Sequence, residues 1–599
     1  VSVNGQVADA VTIPLSIRPC GIRKFIPAAG RLRNQIARVE YFVPESGRGS
    51  AEMTVTIHPG AATSVADLLP ILAAEPSADL FSTVTRFLPA LKALRAFSDL
   101  RISPDLLFRG GPRESGALHA SREAGEKLPD SPEAFRKQIR TNLQMLQGMV
   151  NSDGGWGWFS GWGEQSHIDT TAVAVDALLD AKAAQQSVDE RILRNGILWL
   201  KRKAEQRAAE LRSGGEISNE DALLLRTLKK ANAVSPDLQQ LVFRQREKLS
   251  PFGLALLGLA EEDGSTAQTT VIRELERLLK TDPQSGTAYL NIPPVWRYSW
   301  AGSETSAQAA YLELLLRTAP NGERTEAVAR YLTILLRNAP SRTSRRALGE
   351  AVGVLSQYLR LAGESDPDLN IMVKLDEGHI RSFRITGANL WSGPFQVTID
   401  PEMLYPGRHV LELSCAGRGA IFYQTMLSCF QTGPRIGASG TELQLDRRYY
   451  RIDRTEKTTS VPTSAASLRT VRSETEHRTA LADLSTVRPG DIVEVELIPR
   501  AASDCDYVEF RDSLPAGFEY VKPQSGVLSW HPMIYAEFFE DGPCFHLRNL
   551  PRGASSIRYR IRARFAGSST ALPATGSGVY APELRANSSD TKIIIQEDQ

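Results

Sequence analysis

The sequence has 599 residues, of which 42% are hydrophobic and 23% are charged, and its formal net charge is +1. This composition is that of an ordinary globular protein, and the length predicts several domains because one domain usually takes about 100–200 residues. The near-zero net charge excludes a bulk electrostatic attraction to nucleic acid or to a membrane surface.

The first segment, up to about residue 60, has the alternation of a β-strand with one buried face. Met53, Val55 and Ile57 alternate with threonines. Residues 11–17 and 39–42 are further strand candidates, and prolines separate them. The sequence begins without an initiator methionine, and we interpret the chain as part of a longer protein.

From about residue 62 the hydrophobic period changes to that of an α-helix and continues to about residue 361. Ser131 and Pro132 have the residue types of an N-cap and a first helical turn. Further helices are predicted over residues 188–211, 218–231, 236–249, 251–261, 266–279, 305–318, 324–338 and 346–361. Helices joined by such short connections predict an α/α toroid or a solenoid, in which each hairpin buries its apolar face on its neighbours.

One stretch, residues 153–162, departs strongly from average composition. It contains four glycines and three tryptophans, namely Trp156, Trp158 and Trp162. We predict a tight loop pinned by aromatic side chains, followed by a helix over 166–181. A weaker copy of the pattern lies at residues 296–307, and residues 110–130 form a polar, glycine-rich loop. Packing against helix ends is the expected role of the tryptophans, and a ligand cage is the alternative.

Near residue 370 the pattern returns to that of β-structure. Phe395, Val397 and Ile399 alternate with polar residues, and residues 410–430 form a hairpin around a glycine-containing turn. The helical block is thus bracketed by β-segments. We therefore predict a helical domain inserted into a loop of one β-domain, with its two ends close together.

The last part of the chain predicts a linker and a further β-domain. Residues 455–486 are rich in serine, threonine and charge, which is typical of a linker or a long loop. Beyond them, Ile557, Tyr559 and Ile561 alternate with arginines at 558, 560, 562 and 564. The arginines could bind a polyanion or an acidic partner. We expect instead a solvated sheet face that pairs with acidic residues of neighbouring strands.

The polar residues give little sign of chemistry. The cysteines are Cys20, Cys415, Cys429, Cys505 and Cys544. Five cysteines are too few for a disulfide scaffold, and their odd number leaves at least one unpaired within the chain. No C-x-x-C or H-x-x-x-H spacing occurs. We therefore assign no metal-binding, cofactor-binding or catalytic residue.

Two polar features remain open to a functional interpretation. His167 and Asp169 follow the tryptophan-rich stretch and could form an acid–base pair, although a solvent-facing first helical turn explains them equally well. Because no clustered acidic motif such as D-x-D-D accompanies them, we predict that the chain is not an enzyme. Asn587 begins a glycosylation pattern that is common by chance.

Four short motifs occur in an informative order. They are Leu-Pro-Ala at 88–90, the Gly/Trp sequence at 153–158, Asp-Ser-Leu-Pro-Ala-Gly-Phe-Glu at 512–519 and Tyr-Ala-Pro-Glu at 580–583. In this order, within a β-segment, a helical block, a second β-segment and a final β-domain, they resemble the C-terminal half of bacterial alpha-2-macroglobulins. Residues 153–158 are similar to the Gly/Trp loop of that family's thioester domain.

The resemblance implies a multidomain α + β protein. An α/α toroid, thioester-domain-like, would be inserted in a CUB-like β-domain and followed by a macroglobulin-like β-sandwich. The implied ranges are 1–61 and 369–436 for the two parts of the CUB-like domain, 62–368 for the toroid, and 437–599 for the receptor-binding-like sandwich.

The resemblance fails at the residues that carry the family's chemistry. Family members place Cys-x-Glu-Gln just ahead of the second toroid helix, where the Cys thiol and the Gln amide condense into an internal thioester. Aligned without gaps on residues 86–90, these positions fall on Asp79, Phe81 and Ser82. None of the five cysteines is followed three residues later by glutamine. The thioester position is therefore predicted to be degenerate.

By resemblance, the chain is part of a thioester-less, non-covalent protease-trapping inhibitor of the bacterial periplasm or cell envelope. Its bait region would lie upstream of Val1. Its expected partners are proteases or envelope proteins and the upstream macroglobulin-like domains of the same polypeptide, with no nucleic acid and no transmembrane segment in this chain. The alternative is a non-inhibitory envelope scaffold or protein-interaction module.

Overall fold

The structure is a computed structural model. It describes residues 2–3, 6–7, 21–74, 79–99, 103, 105, 131–159, 161, 163–282, 286–293, 296, 303–338, 343–361, 367–392, 394–432, 435–464, 467–523, 525–530, 533–581 and 584–596. Trp162, Cys20, the loop predicted at 110–130 and most of the predicted second aromatic loop lie outside these residues.

The chain begins with β-strands, as the alternating pattern predicted. They are β1 (Ser2–Val3), β2 (Gln6–Val7), β3 (Ile22–Leu32), β4 (Ile36–Val43) and β5 (Glu52–His58). Met53, Val55 and Ile57 of β5 are fully buried, while the threonines between them face the other side of the sheet. This confirms the strand predicted from their period of two.

A helical block follows β5. Its helices are α1 (Ala62–Ala74), α2 (Leu80–Asp99), α3 (Pro132–Gly148), α4 (Ile168–Ala183), α5 (Glu190–Arg212), α6 (Asn219–Lys230), α7 (Pro236–Arg244), α8 (Pro251–Ala260), α9 (Thr266–Arg277), α10 (Glu304–Thr318), α11 (Glu323–Asn338) and α12 (Arg345–Leu361). A short hairpin of β6 (Leu279–Asp282) and β7 (Thr287–Leu290) lies between α9 and α10. The predicted cap of α3 is confirmed, because the Ser131 hydroxyl accepts a hydrogen bond from the Ala134 amide at 3.3 Å.

Alternate helices of the block form a closed ring. In order, α2 packs on α4, α4 on α6, α6 on α8, α8 on α10, α10 on α12, and α12 returns to α2. The other described helices pack around the outside, as α1 does against α2 and α12. Every residue of α8 is buried, which suits a helix that is apolar on all sides and covered all round.

The chain returns to β-structure in β8 (Asp368–Leu375), β9 (Gly378–Thr386), β10 (Phe395–Ile399), β11 (Gly407–Arg418) and β12 (Ile421–Gln431). These strands share two four-stranded sheets with the first ones, in the orders β10–β5–β12–β3 and β4–β11–β8–β9. Val55, for example, lies opposite Val397 on one side and Thr425 on the other. The helical block is therefore inserted between β5 and β8 of one β-domain.

The last domain is a β-sandwich with its own core. Its strands are β13 (Ser439–Gly440), β14 (Leu443–Ser464), β15 (Ser467–Leu481), β16 (Ser485–Val487), β17 (Ile492–Ala501), β18 (Cys505–Arg511), β19 (Phe518–Tyr520), β20 (Gly526–Trp530), β21 (Met533–Phe539), β22 (Gly542–Leu550), β23 (Gly553–Ala554), β24 (Ile557–Ala563), β25 (Gly567–Ala571), β26 (Thr575–Gly578), β27 (Arg585–Asn587) and β28 (Thr591–Ile595).

One sheet of this sandwich has the order β13–β27–β26–β18–β22–β21–β20, and the facing one β15–β14–β17–β24–β19 with β23 beside β17. A small third sheet has the order β16–β28–β25. Phe510, Phe545 and Leu497 are among the fully buried residues of the sandwich core. The mixed helical and sheet class, with β-sandwich domains, is confirmed.

The linker predicted at 455–486 is wrong. Strands β14 and β15 pair with each other along almost their whole length, from Tyr449 opposite Leu481 to Ser464 opposite Ser467. Residues 475–480 are all exposed. A strand segment without buried side chains, such as residues 475–480, shows no hydrophobic alternation, so its sequence resembles that of a linker.

A polar junction joins the helical ring to the last sandwich. Glu304 of α10 accepts hydrogen bonds from Arg552 at 2.6 Å and from the Tyr331 hydroxyl at 2.8 Å. The Arg552 guanidinium also lies 4.2 Å from the centre of the Tyr289 ring. None of the helices that the structure describes is both long and apolar enough to cross a membrane.

Candidate functional site

The three predicted thioester positions lie at the first turn of α2. Asp79 is its N-terminal cap: one carboxylate oxygen accepts from the Ser82 amide at 3.0 Å and the other from the Ser82 hydroxyl at 2.7 Å. Phe81 is buried, with 9% of its surface exposed. The carboxylate and the hydroxyl at these positions thus satisfy each other and the helix end.

The tryptophan-rich loop is anchored by Trp156, whose side chain is fully buried. Its indole N–H donates to the Leu146 carbonyl at 2.8 Å. Its amide donates to the Thr171 hydroxyl at 2.9 Å, and its carbonyl accepts from the Thr170 hydroxyl at 2.6 Å. The loop is thus tied to the end of α3 and to the start of α4, which is the structural role predicted for Trp156.

Asp153 fixes the start of the same loop. Its carboxylate accepts from the Gly155 amide at 3.0 Å, the Ser166 hydroxyl at 2.7 Å and the Trp199 indole at 2.8 Å. Partial burial disfavours the charged form, but the three hydrogen bonds outweigh it and lower the pKa of Asp153. A Cβ on Gly155 would lie 2.6 Å from Ser166 Cβ, so the loop needs glycine here.

Trp158 joins the loop to α2. Its carbonyl accepts from the Leu80 amide at 2.9 Å, and its ring meets Phe81 edge-on with 5.0 Å between centroids. On another side, the Arg346 guanidinium lies 4.5 Å from the centre of the Phe81 ring. The structure therefore brings together the predicted thioester positions and the tryptophan-rich loop, which are far apart in sequence. Packed aromatic rings make the contact between them. Trp162, the third predicted member of the loop, lies outside the described residues.

Behind Phe81 a cavity of about 120 Å³ lies inside the ring of helices. Side chains from all the inner helices line it, including Phe81, Val173, Leu223, Phe252, Ala309 and Val354. Asp176, Arg226 and Glu313 are among the charged residues of its lining.

The charged groups of the ring pair with one another. Arg226 lies 3.3 Å from Asp176 and 2.9 Å from Glu313. Lys230 lies 2.7 Å from both Asp176 and Asp180. Burial disfavours the charged carboxylates, but Arg226 and the nearby lysines outweigh it and lower the pKa of Asp176 and of Glu313. These carboxylates stay ionised and paired, so they are poorly suited to proton transfer.

The sequence analysis missed this network. A signal was present, because Asp176 and Asp180, like Arg226 and Lys230, are four residues apart within helical sequence. Such spacing places each pair on one helical face. The spacing does not reveal which neighbouring helix packs against that face.

Other candidate residues have local structural roles. Asp169 accepts from the Thr170 amide at 2.8 Å, and the described contacts contain no hydrogen bond between His167 and Asp169. Asn587 is fully buried and its amide donates to the carbonyls of Gly437 and Ser588, so the folded chain does not present it for glycosylation.

The arginine face of β24 is paired with acidic side chains, as expected. Arg558 lies 2.7 Å from Glu496, and Arg560 lies 3.2 Å from Glu494 and 2.6 Å from Glu476. This confirms the interpretation as a salt-bridged sheet face. It removes the reason to expect a polyanion there.

The cysteines that the structure describes lie in the two β-domains, away from α2. All four are unpaired and buried: Cys415 and Cys429 in the first β-domain, Cys505 and Cys544 in the last sandwich. Burial raises the pKa of each thiol, that of Cys544 to about 12. A nucleophilic thiolate is therefore disfavoured at each of them.

Comparison with known proteins bears on the last sandwich first. The profile described as "Bacterial Alpha-2-macroglobulin MG10 domain" matches residues 443–583. An alpha-2-macroglobulin homolog from Nostoc is 22% identical over 501 residues, which are 77% of this chain. The chain is therefore similar to bacterial alpha-2-macroglobulins, most specifically over residues 443–583. It spans about a quarter of that relative, 24% of its length.

Solved alpha-2-macroglobulins are also similar to this chain. Trypsin-activated alpha-2-macroglobulin from Escherichia coli aligns with a TM-score of 0.49 at 15% identity, over 96% of this chain and 36% of that one. Salmonella alpha-2-macroglobulin reacted with methylamine aligns with a TM-score of 0.41 at 16% identity, over 99% of this chain and 35% of that one.

Proposed function

We propose that this chain is part of a thioester-less alpha-2-macroglobulin of the bacterial envelope, which traps proteases without a covalent bond to them. The observation that carries the proposal is the chemistry at the start of α2. Asp79, Phe81 and Ser82 stand where the family resemblance places Cys, Glu and Gln. A carboxylate and a hydroxyl cannot form an activated acyl bond unaided.

The surroundings of these residues support the proposal. Both oxygens of Asp79 are used in capping α2. Trp158 and Arg346 cover two sides of Phe81. The described cysteines lie in other domains. A helix start whose polar side chains cap the helix, and whose Phe81 is covered by packed side chains, suits a protein that rearranges rather than one that reacts.

The architecture supports the finer assignment as well. We interpret the helical ring, residues 62–368, as a thioester-domain-like toroid, and the β-domain into which it is inserted as CUB-like. The last domain would be the receptor-binding-like macroglobulin sandwich. In this proposal the chain rearranges after a protease cleaves a bait region elsewhere in the protein, and it performs no catalysis of its own.

The full-length protein tests the proposal in a trapping assay. A protease is incubated with it and then offered a small chromogenic peptide and a large protein substrate. We expect the protease to keep its activity on the peptide and to lose most of its activity on the large substrate. The same protease inactivated before incubation serves as the control, since it cannot cleave the bait and should not be retained.

Equal activity on large and small substrates, with the protein left uncleaved, would contradict the inhibitor proposal. Affinity purification from an envelope extract then separates the remaining interpretation. Stable partners that include no protease would indicate a scaffold or protein-interaction module.

A further inference from the structure

We propose that the outer face of the last sandwich binds a zinc ion through Cys544, His546 and Glu537, with Glu509 supporting the histidine. One ligand atom each from Glu509, Cys544 and His546 lies within 4.8 Å of the others. In the part of the chain that the structure describes, this is the only group of at least three potential metal ligands so close together.

The register of three neighbouring strands creates the group. Glu509 of β18 lies directly opposite His546 of β22, and Cys544 of β22 lies directly opposite Glu537 of β21. Because side chains two residues apart on a strand share a face, all four project from the same side of the sheet. Sequence reasoning did not find this site, because the residues come from strands whose pairing the sequence does not reveal.

The distances suit a small ion with mixed nitrogen, sulfur and oxygen ligands. Cys544 Sγ lies 3.4 Å from His546 Nε2, which in turn lies 2.8 Å from Glu537 Oε2. Zinc binds sulfur at about 2.3 Å and nitrogen or oxygen at about 2.0–2.2 Å with tetrahedral angles, so its ligand atoms lie somewhat over 3 Å apart. Only the Glu537 carboxylate has to withdraw slightly to admit the ion.

Glu509 supports the site from the other side of the imidazole. Its carboxylate lies 3.5 Å from His546 Nδ1, while Arg511 holds its second oxygen at 2.7 Å. A carboxylate at the free ring nitrogen orients a histidine whose other nitrogen binds the metal. His546 and Glu537 are each over a third exposed, which leaves the ion a path from solvent.

The charges balance when the ion binds. Two carboxylates and Arg511 leave the empty site with one net negative charge. Binding of Zn²⁺ displaces the proton of the Cys544 thiol to solvent, so the filled site is neutral. An ion held here would bridge β22 and β21, with β18 joined through Glu509; these strands form the half of the sheet nearest its β20 edge. We therefore expect it to stabilise the sandwich.

Cobalt(II) is the probe, because a tetrahedral Co²⁺–thiolate site absorbs strongly in the visible and near ultraviolet. The full chain is stripped with EDTA and titrated with Co²⁺, and Zn²⁺ is then added. We expect saturation at one Co²⁺ per chain, loss of the bands as Zn²⁺ replaces it, and a higher thermal midpoint with Zn²⁺ than with EDTA.

Variants locate the site. Cys544→Ser should abolish the charge-transfer band, His546→Ala should abolish saturable binding, and Glu509→Gln should weaken Zn²⁺ binding about 10–100-fold. His379→Ala, which changes an exposed histidine on β9, and Cys415→Ser are the matched controls and should bind like the parent chain. Absence of saturable binding in the parent chain, or a band that persists in both Cys544→Ser and His546→Ala, would overturn the proposal. Because His546 is partly exposed, its variant separates loss of the ligand from loss of the fold.

Discussion

Asp512 places a charge inside the last sandwich, although its sequence context predicts only a turn. Asp512 and Arg447 form an ion pair in which neither side chain is exposed. The Arg447 guanidinium also donates to the carbonyls of Leu572 and Ala571, and Asp512 accepts from the Tyr559 hydroxyl at 2.9 Å. Such a pair is favourable only while all its partners are present.

We predict that Asp512→Ala lowers the free energy of unfolding of the last sandwich by about 3–5 kcal/mol, because it leaves Arg447 buried without a counter-charge. Urea unfolding of the parent chain and the variant measures the difference. The control is Asp368→Ala, which breaks an exposed pair with Arg384 and should leave the transition unchanged. Equal effects of the two substitutions would contradict the argument.

Glu496 gives a pH dependence with a definite sign. Burial disfavours its charged form, but hydrogen bonds from Ser556 and Arg558 outweigh this and lower its pKa from 4.5 to about 2. A carboxylate with a lowered pKa contributes stability that is fully present above its unfolded-state pKa. That contribution is lost as the pH falls through the folded-state pKa.

We therefore expect the thermal midpoints of the parent chain and Glu496→Gln to differ most above about pH 4.5. The difference should shrink steadily as the pH is lowered towards about 2. Differential scanning calorimetry across this range measures it. A difference that does not change with pH would show that the ionised form of Glu496 adds nothing to stability.

At the level of elements, packing against the aromatic loop requires a glycine inside a neighbouring helix. Gly196 lies inside α5, where glycine is worse than alanine by about 1 kcal/mol. A Cβ there would lie 2.7 Å from the Trp156 ring and 2.8 Å from Val175. Packing against the loop thus overrides helix propensity.

Gly196→Ala should accordingly destabilise the ring by about 1–3 kcal/mol, the usual cost of overpacking. Gly148→Ala is the matched control: this glycine ends α3, and no atom lies within 4 Å of an added Cβ. The Gly148→Ala substitution should be neutral or slightly stabilising. Chemical denaturation followed by tryptophan fluorescence compares the two, and a stabilised Gly196→Ala would show that the loop yields to the helix.

Many of the helices and strands could be predicted from sequence, and most of the failures share one cause. The hydrophobic period of β5 and the capping residues of α3 are local signals, and both predictions were correct. The closed order of the inner helices, the Asp176–Arg226 pair and the proposed metal site depend on which elements meet, which no local period records. The pairing of β14 with β15 was missed for a different reason, since the exposed residues 475–480 of β15 have no hydrophobic period to detect.

Across the whole molecule, Arg552 makes one of the polar contacts between the ring and the last sandwich. Its pair with Glu304 is buried, and Tyr331 and Tyr289 lie beside it. Contacts of this kind determine how firmly two domains stay together. They are replaceable more readily than a continuous apolar core.

Arg552→Ala should therefore loosen the junction without unfolding either domain. We expect faster amide hydrogen exchange at the start of α10 and around residues 550–556, and unchanged exchange in α9. Arg324→Ala, which removes a partly exposed pair with Glu276, is the control. It should not change exchange at the start of α10 or around residues 550–556. Uniformly faster exchange throughout the chain would instead mean that Arg552 supports a whole domain.

The proposal that the protein lacks an internal thioester leads to a direct chemical experiment. A strained internal acyl bond is opened by a small amine, which stays attached, whereas capped carboxylates and hydroxyls do not react. The full-length protein is incubated with methylamine and its intact mass is compared with that of an untreated sample. We predict no added mass and no newly released thiol; one methylamine bound per chain, with one new thiol, would contradict the proposal.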